Sequence, residues 1–399
     1  MMPEAHSHRA EKSDVTIVSI TTRRTHPGVT VEPARGRGEL RTFARLPRDL
    51  HRGDPHWLPP LLPERRAFPG RARHPVFVSG DAELFLATAK GRPVGRIAAV
   101  RHRRRTAFHG AREGLFAMFD CVEDPAVARA LIDTAARWLA ERGCDAITGP
   151  VGLLPGQESG VLVAGPAGPP VVLTPYNPPH YPALLEACGL VKVKDLWTWA
   201  AGPEPPESIL RIARATRQRE DLTVRALDLG DLRAESARLG EICRGGRMHG
   251  WGLAPTTERE FAHLLAGLHD FLPSGAALVC ECQGEPVAFA LAVPDLNQRL
   301  TGLAARIARL GVPPAALPPV HTVTPGLRWR AAAFGVRNGF RGRGVEAVLV
   351  AELWRSARHL GCGSWEATWT LEDNHAMNRV MELLGASRSR TYRLYRKAV

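Results

Sequence analysis

The most constraining feature of this sequence is that its two halves repeat one order of predicted elements. Apolar residues flank Lys90-Gly91 in the first half and Gln283-Gly284 in the second, and each pattern predicts a β-hairpin with a tight turn. After each hairpin the patterns predict a strand, an amphipathic helix ending at Gly-Cys, a second strand, a late helix and a last strand. The chain is therefore expected to hold two copies of one fold.

The repeated order also predicts the fold class. Antiparallel hairpins come early in each half and a strand–helix–strand crossover follows, which is typical of an α/β (α+β) protein with mixed sheets. The late helices are expected to open at Asn177 and Asn374. Ligands of such folds bind at the carboxyl end of the first crossover strand, so a site is expected there.

A join rich in Pro and Glu at residues 203–207 marks the predicted domain boundary. We predict a flexible basic tail over residues 1–35, a first domain over residues 36–202 and a second domain over residues 203–399.

Composition excludes several classes of protein and suggests a kind of partner. The 399 residues carry 53 Lys and Arg against 40 Asp and Glu, a formal net charge of +13, which suggests a polyanionic partner. The 44% hydrophobic content argues against disorder, and seven scattered cysteines argue against a disulfide scaffold. No apolar run is long enough to span a bilayer. We therefore expect a soluble cytoplasmic protein without a membrane partner.

A loop rich in Gly and Arg follows the predicted crossover strand of the second half. The strand ends at Val336, and a helix begins after Gly339, Arg341, Gly342, Arg343 and Gly344. Backbone N–H groups at a helix start, with glycines that allow close approach, make a phosphate cradle, and the arginines add charged donors. A dinucleotide-binding loop is disfavoured, because five residues separate the strand from Gly342, the first glycine that matches the dinucleotide-binding motif. A β-hairpin also precedes this strand, where a dinucleotide-binding fold has a strand–helix–strand unit.

This loop resembles the Arg/Gln-x-x-Gly-x-Gly/Ala pyrophosphate loop of the GNAT superfamily of N-acyltransferases. Asn374, with Gly385 eleven residues later, resembles the late helix of that superfamily. Five further segments resemble a bacterial family of tandem GNAT-like proteins, and the resemblance covers roughly residues 36–399. The segments are residues 54–60, 95–98, 175–178, 251–255 and 371–374.

The resemblance implies an acyl thioester donor, either acyl-CoA or the phosphopantetheine of an acyl carrier protein. Its arm would lie along the splayed strand and its pyrophosphate on the loop. The implied cofactor-binding residues are Phe334, Gly335, Val336, Arg341, Gly342, Arg343, Gly344 and Asn374. Two positions depart from the pattern: Glu346 replaces a small residue near the phosphates, and Met381 stands where a Tyr general acid often occurs. The first half lacks the loop and carries two carboxylates there, so it is interpreted as a degenerate copy.

Aminolysis of a thioester needs a base for the amine and a polarised carbonyl. Backbone N–H groups near Gly335 and Val336 are candidates for polarising the carbonyl. Glu366 on the strand after the loop helix is the first candidate base, followed by Glu372 and Asp373, and His249 is a candidate acceptor-site residue. The sequence contains no metal-binding motif, so no metal is expected.

The function predicted from these residues is transfer of an acyl group from a phosphopantetheine thioester to the amine of a small molecule. An aminoacyl-tRNA-dependent transferase and a non-catalytic GNAT-like binding protein remain as alternatives. Arginine runs at residues 101–105 and near the carboxyl terminus favour docking of an acidic acyl carrier protein over tRNA.

Overall fold

The computed structural model describes residues 28–59, 74–153, 157–245, 257–299 and 325–399. His249 and the segment 251–255, which the sequence singled out, lie outside these ranges.

The described residues of the first half form seven strands and their helices. The strands are β1 (Val29–Pro33), β2 (Gly80–Ala89), β3 (Arg92–His102), β4 (Glu113–Cys121), β5 (Ala146–Gly149), β6 (Val161–Ala164) and β7 (Val191–Ala201). The helices are α1 (Arg37–Leu50), α2 (Val76–Ser79), α3 (Arg103–His109), α4 (Pro125–Ala140) and α5 (Tyr181–Ala187).

The second half begins with a helix and contains the same order of hairpin, strand, helix, strand, helix and last strand. Its strands are β8 (Leu222–Ala226), β9 (Ala277–Cys282), β10 (Glu285–Pro294), β11 (Leu327–Val336), β12 (Cys362–Leu371) and β13 (Ser387–Ala398). Its helices are α6 (Glu207–Arg219), α7 (Leu232–Gly245), α8 (Glu258–Leu268), α9 (Val345–His359) and α10 (His375–Leu383). No helix in the described part of the chain is both long enough and apolar enough to cross a bilayer.

Both predicted hairpins are confirmed. Lys90 and Gly91 have φ of 50° and 73°, and Gln283 and Gly284 have φ of 53° and 80°. Two successive residues with positive φ are the signature of the turn whose twist matches the flanking strands. The turns therefore join β2 to β3 and β9 to β10 in antiparallel register.

Part of the predicted tail and one predicted helix start differ from the structure. β1 pairs with β2, so residues 29–33 belong to the sheet; Val29 is buried in the first-half core and Val31 packs against it. Asn374 does cap α10, accepting the N–H of Met377. Asn177 does not open α5, because its side chain instead accepts the N–H of Leu162 in β6.

The strands form one continuous sheet in which the two halves exchange their last strands. The order is β1-β2-β3-β4-β5-β13-β7-β12-β11-β10-β9-β8, with β6 paired to β13. β13 of the second half therefore lies beside β5 of the first, and β7 of the first half lies beside β12 of the second. The exchanged strands also pair antiparallel with each other at the centre of the sheet.

Ion pairs across the centre hold the exchanged strands. Arg393 of β13 donates from Nε and Nη2 to both carboxylate oxygens of Asp195 in β7, at 2.9 and 3.1 Å. Burial would raise the pKa of Asp195, but bonds from Arg393 and Lys192 outweigh it, and the pKa lies below its usual range. This two-pronged geometry fixes the pairing of β7 with β13.

Candidate active site

The gap between β11 and β12 is the feature around which the site is built. The two strands pair in parallel from Leu327–Cys362 to Arg330–Glu366, and the pairing ends there. Beyond that point β11 continues beside β10 only, and β12 continues beside β7 only. Backbone N–H and C=O groups on the open edge of β11 therefore face the gap and are available to a ligand.

Arg330 and Glu366 lie at the closed end of this gap, where the pairing of β11 with β12 stops. They are direct partners in the parallel register, so their side chains leave the sheet on the same face. Each residue is only 1% exposed. Among the described residues, Nε and Nη1 of Arg330 and both carboxylate oxygens of Glu366 find no hydrogen-bond partner. Because buried polar groups in native proteins are almost always paired, these atoms indicate a place where water or a ligand binds.

Aromatic side chains surround Arg330 and Glu366 on both faces of the sheet. Trp329 and Trp365, one residue before the pair, lie with ring centroids 6.2 Å apart, and Trp354 of α9 lies 4.9 Å from Trp365. β12 bulges between Ala367 and Thr370, and within this bulge Trp369 places its ring 5.2 Å from the guanidinium carbon of Arg330. The two charged side chains are thus held by rigid neighbours.

Burial has the largest effect on the pKa values of Arg330 and Tyr392. It lowers the pKa of Arg330, against the opposing effect of Tyr392, Glu366 and Glu158. It raises the pKa of Tyr392, which is fully buried on β13. An arginine remains charged even so, and the site therefore presents a cation and a carboxylate in a poorly solvated place.

The glycine loop lies directly after β11. A short turn at Asn338–Phe340 leads to Gly342, with φ of 70°, and then to Gly344, the N-cap of α9, with φ of 92°. A Cβ on Gly344 would overlap Oγ1 of Thr216 in α6, whereas a Cβ on Gly342 would meet nothing within 4 Å. No side chain caps α9, so the N–H groups of its first turn are open to an anion.

The side chains of the loop make specific contacts of their own. Arg341 donates from Nε to the carbonyl of Val336 at 3.1 Å. Arg343 bonds both oxygens of Glu220, with its Nη2 2.6 Å from Oε2. Glu346, the departure noted in the sequence, accepts the N–H of Gly342 at 3.0 Å. A phosphate on this loop would therefore meet Glu346 at one of its donors.

The remaining predicted residues lie around the gap in different settings. On β11, Phe334 is 37% exposed, Gly335 lies against the ring of Phe289 and Val336 is buried. Glu372 bonds Lys192 at 2.8 Å, and Asp373 bonds Lys194 at 2.6 Å, both on β7. Lys194 also holds the pKa of Asp373 below its usual range.

The structure brings together residues that the sequence did not single out, namely Arg330, Trp369 and Tyr392. The run Leu327-Arg-Trp-Arg330 alternates apolar and charged residues, which is typical of a strand with one solvated face. Only the register with β12 reveals that Arg330 lies buried beside Glu366. Within the described ranges no group of three His, Cys, Asp or Glu side chains could hold a metal ion.

The first half has different residues at the corresponding position between β4 and β5. β4 and β5 pair in parallel from Glu113–Ala146 to Leu115–Thr148, so Leu115 and Thr148 stand where the second half has Arg330 and Glu366. The hydroxyl of Thr148 donates to the carboxylate of Glu113. The helix that follows, α4, is capped by Asp124, whose side chain accepts the N–H of Ala126.

Comparison with known proteins defines the class. A tandem GNAT protein from the clavulanic acid biosynthesis pathway has the same fold, with a TM-score of 0.52 over 93% of this chain and 98% of that chain at 13% identity. The chain thus has the fold of a tandem GNAT protein. No protein-family model matches the chain.

Two curated proteins give the particular family. The bacterial ceramide synthase of Caulobacter vibrioides is 31% identical over 383 residues, which cover 94% of this chain and 99% of that protein. Protein YghO of Escherichia coli is 30% identical over 372 residues, which cover 91% and 94%. The chain belongs to the family of the bacterial ceramide synthase and is an acyltransferase.

Proposed function

We propose that this protein transfers an acyl group from a phosphopantetheine thioester to the amine of a long-chain amino alcohol, in the gap between β11 and β12. The observation that carries the proposal is the Glu366 carboxylate, which is buried where the two strands part and has no hydrogen-bond partner in the described part of the chain. A carboxylate held in this way is free to accept a proton from an amine in the gap.

The donor side of the proposal rests on the open edge of β11 and on the loop. The phosphopantetheine arm would bond the backbone of residues 331–336, and the phosphates would lie on the first turn of α9, beside Gly342 and Gly344. Both acyl-CoA and an acylated carrier protein carry this arm. Glu346 would have to release the N–H of Gly342 for a phosphate to reach it.

The chemistry balances with Glu366 alone as the proton carrier. The amine nitrogen attacks the thioester carbonyl, backbone N–H groups of β11 stabilise the developing oxyanion, and Glu366 takes the amine proton. The C–S bond then breaks, and the same proton passes to the thiolate, so the products are an amide and a thiol. Met381 packs against the core of the second half and has no proton to give.

The acceptor side of the proposal rests on family membership. The relative from Caulobacter vibrioides is named a ceramide synthase, and a ceramide is the amide of a fatty acid with a long-chain amino alcohol. The chain aligns with almost the whole of that protein, so both halves are available to build the acceptor cleft in the same way.

Release of free thiol tests the proposal directly. The full chain is offered a long-chain amino alcohol with either acyl-CoA or an acylated carrier protein. We expect thiol and amide in equal amounts, and Glu366→Gln should lower kcat by about 100-fold or more because the amine loses its base. Glu352→Gln is the control, since that carboxylate pairs with Arg217 and Arg355 away from the gap. Turnover by Glu366→Gln at the wild-type rate would remove Glu366 from the reaction.

The same assay decides the donor. If a carrier protein docks through the arginines of residues 101–105 and of the carboxyl-terminal strand, moderate salt should slow turnover with the carrier more than turnover with acyl-CoA. Equal salt effects on both donors would exclude electrostatic docking of the carrier.

A further inference from the structure

We infer that Arg330 selects acceptors that carry a hydroxyl on the carbon next to the amine-bearing carbon. The inference rests on the proposed function and deepens it, because it assigns one part of the acceptor to one side chain. It begins with a buried guanidinium whose Nε and Nη1 have no hydrogen-bond partner in the described part of the protein.

A buried, unpaired guanidinium is costly, and such a group is normally paired or bonded. Arg330 is 1% exposed, and its Nε and Nη1 bond nothing. Within the described ranges no carboxylate forms an ion pair with it, and Glu366, its neighbour in the register, also bonds nothing. The two side chains therefore leave a place between them for a ligand that offers an oxygen to one and a nitrogen to the other.

The spacing of the two strands suits a vicinal amino alcohol. Neighbouring strands lie about 4.8 Å apart, so two paired side chains on one face can both reach groups on adjacent carbons of one ligand. Glu366 takes the amine, as the proposed reaction requires. Arg330, which can only donate, takes the hydroxyl oxygen.

The orientation of the guanidinium is fixed without the ligand. The Trp369 ring lies 5.2 Å from its central carbon, and Trp369 is itself held in the bulge of β12. A charged donor held in place by an aromatic face loses little freedom when a ligand binds, so it can discriminate between ligands.

The first half shows that the sheet accepts an apolar residue at this register position. Leu115 stands opposite Thr148 where Arg330 stands opposite Glu366. A charged residue is therefore not needed there to complete the sheet, and Arg330→Leu copies a substitution that the protein already contains in its other half.

The experiment compares two acceptors of equal chain length: a primary alkylamine and the 2-amino-1-alcohol. For the wild-type protein, kcat/KM for the amino alcohol should exceed that for the alkylamine by about tenfold or more, because a buried donor is left unpaired with the alkylamine. Arg330→Leu should remove this preference, because kcat/KM for the amino alcohol should fall much further than kcat/KM for the alkylamine. Arg330→Lys, which keeps the charge and changes the geometry, should retain part of the preference.

Two results would overturn the assignment. One is an equal loss of activity with both acceptors in Arg330→Leu, which would place Arg330 on the donor carbonyl instead. The other is a wild-type protein that turns over both acceptors equally well. Absence of thiol release with every acceptor would instead contradict the proposed function, and the inference would fall with it.

Binding without the donor gives a second readout that does not depend on turnover. Calorimetry with the amino alcohol should give a Kd about tenfold lower than with the alkylamine for the wild-type protein, and equal values for Arg330→Leu. Equal affinities in the wild-type protein would contradict the assignment even if the variants fold poorly.

Discussion

The two halves of this protein place their parallel strands in the same arrangement and then use the gap between them in opposite ways. In the second half the paired position holds Arg330 and Glu366, whose Nε, Nη1 and carboxylate oxygens are buried and have no hydrogen-bond partner within the described ranges. In the first half the carboxylate of Glu113 accepts hydrogen bonds from Arg105 and Thr148 and forms an ion pair with Arg396. Buried polar groups that satisfy one another stabilise a fold, whereas those left unsatisfied mark a place for a ligand.

The helices that follow these strands also differ between the two halves, in how their first residues are capped. Asp124 caps α4 with its own carboxylate, which leaves less room for an anion and repels it. Gly344 begins α9 without a side-chain cap. One copy of the fold therefore keeps an anion site that the other has closed, and the comparison can be tested one region at a time.

Gly344→Val should give the largest effect. Its φ of 92° is strained for any residue with a Cβ, and that Cβ would overlap Thr216. We expect displacement of the loop and about a 100-fold or greater loss of kcat/KM for the thioester donor, because the first turn of α9 would no longer meet the phosphate. Gly339→Ala is the matched control, since its Cβ would meet nothing within 4 Å and its φ is ordinary. An unchanged donor KM in Gly344→Val would separate the loop from donor binding.

Glu113→Gln should affect stability in the first half without affecting chemistry. Removal of the charge breaks the buried ion pair between Glu113 and Arg105, so the free energy of unfolding should fall by about 4 kcal/mol. Activity per folded molecule should stay at the wild-type value. Denaturant unfolding and thiol release measure the two quantities, and loss of kcat in a folded variant would show that the first half contributes to the chemistry.

The contact between the halves at Glu260 should show a smaller, pH-dependent effect. This α8 carboxylate is 2% exposed, and Arg104 of α3 donates to it at 3.0 Å. Burial would raise its pKa, but bonds from His102, the Thr257 backbone and Arg104 outweigh it and lower the pKa to about 2. The contribution of Glu260 to stability is therefore complete above about pH 4.5, amounts to about 3 kcal/mol, and is lost as the pH falls toward 2.

Glu260→Gln removes that pH-dependent part. The difference between wild-type and variant unfolding free energies should be largest near neutral pH and shrink steadily below pH 4.5. A difference that stays constant from pH 7 to pH 3 would contradict the assigned ion pairs.

Much of the fold could be predicted from the sequence, because the relevant signals are local. The glycine turns and the Asn374 cap each act within a few residues and lie where the pattern predicts. The exchange of β7 and β13 could not be predicted, since the element order is the same whichever half each last strand joins. Contacts such as Arg393 with Asp195 decide it, and they join residues far apart in the chain.

The candidate site was predictable only in part for a similar reason. Glu366 was the first candidate base as a carboxylate on the strand after the loop helix, and Glu372 and Asp373 followed it as further candidates from the sequence. Their ion pairs with Lys192 and Lys194, which lie on the exchanged strand β7, distinguish them from Glu366. The role proposed for Arg330 depends on the strand register, which no local pattern contains.

The exchange of strands bears on how the chain is made. During synthesis the edge of β5 has no partner until β13, the last strand described, has left the ribosome. The first half must wait with an open edge, which is a template for pairing with other chains. Folding of the first half is thus coupled to completion of the second, and its contacts of long sequence separation should make that folding slow. A chaperone that covers the edge of β5 would be of most use during that interval.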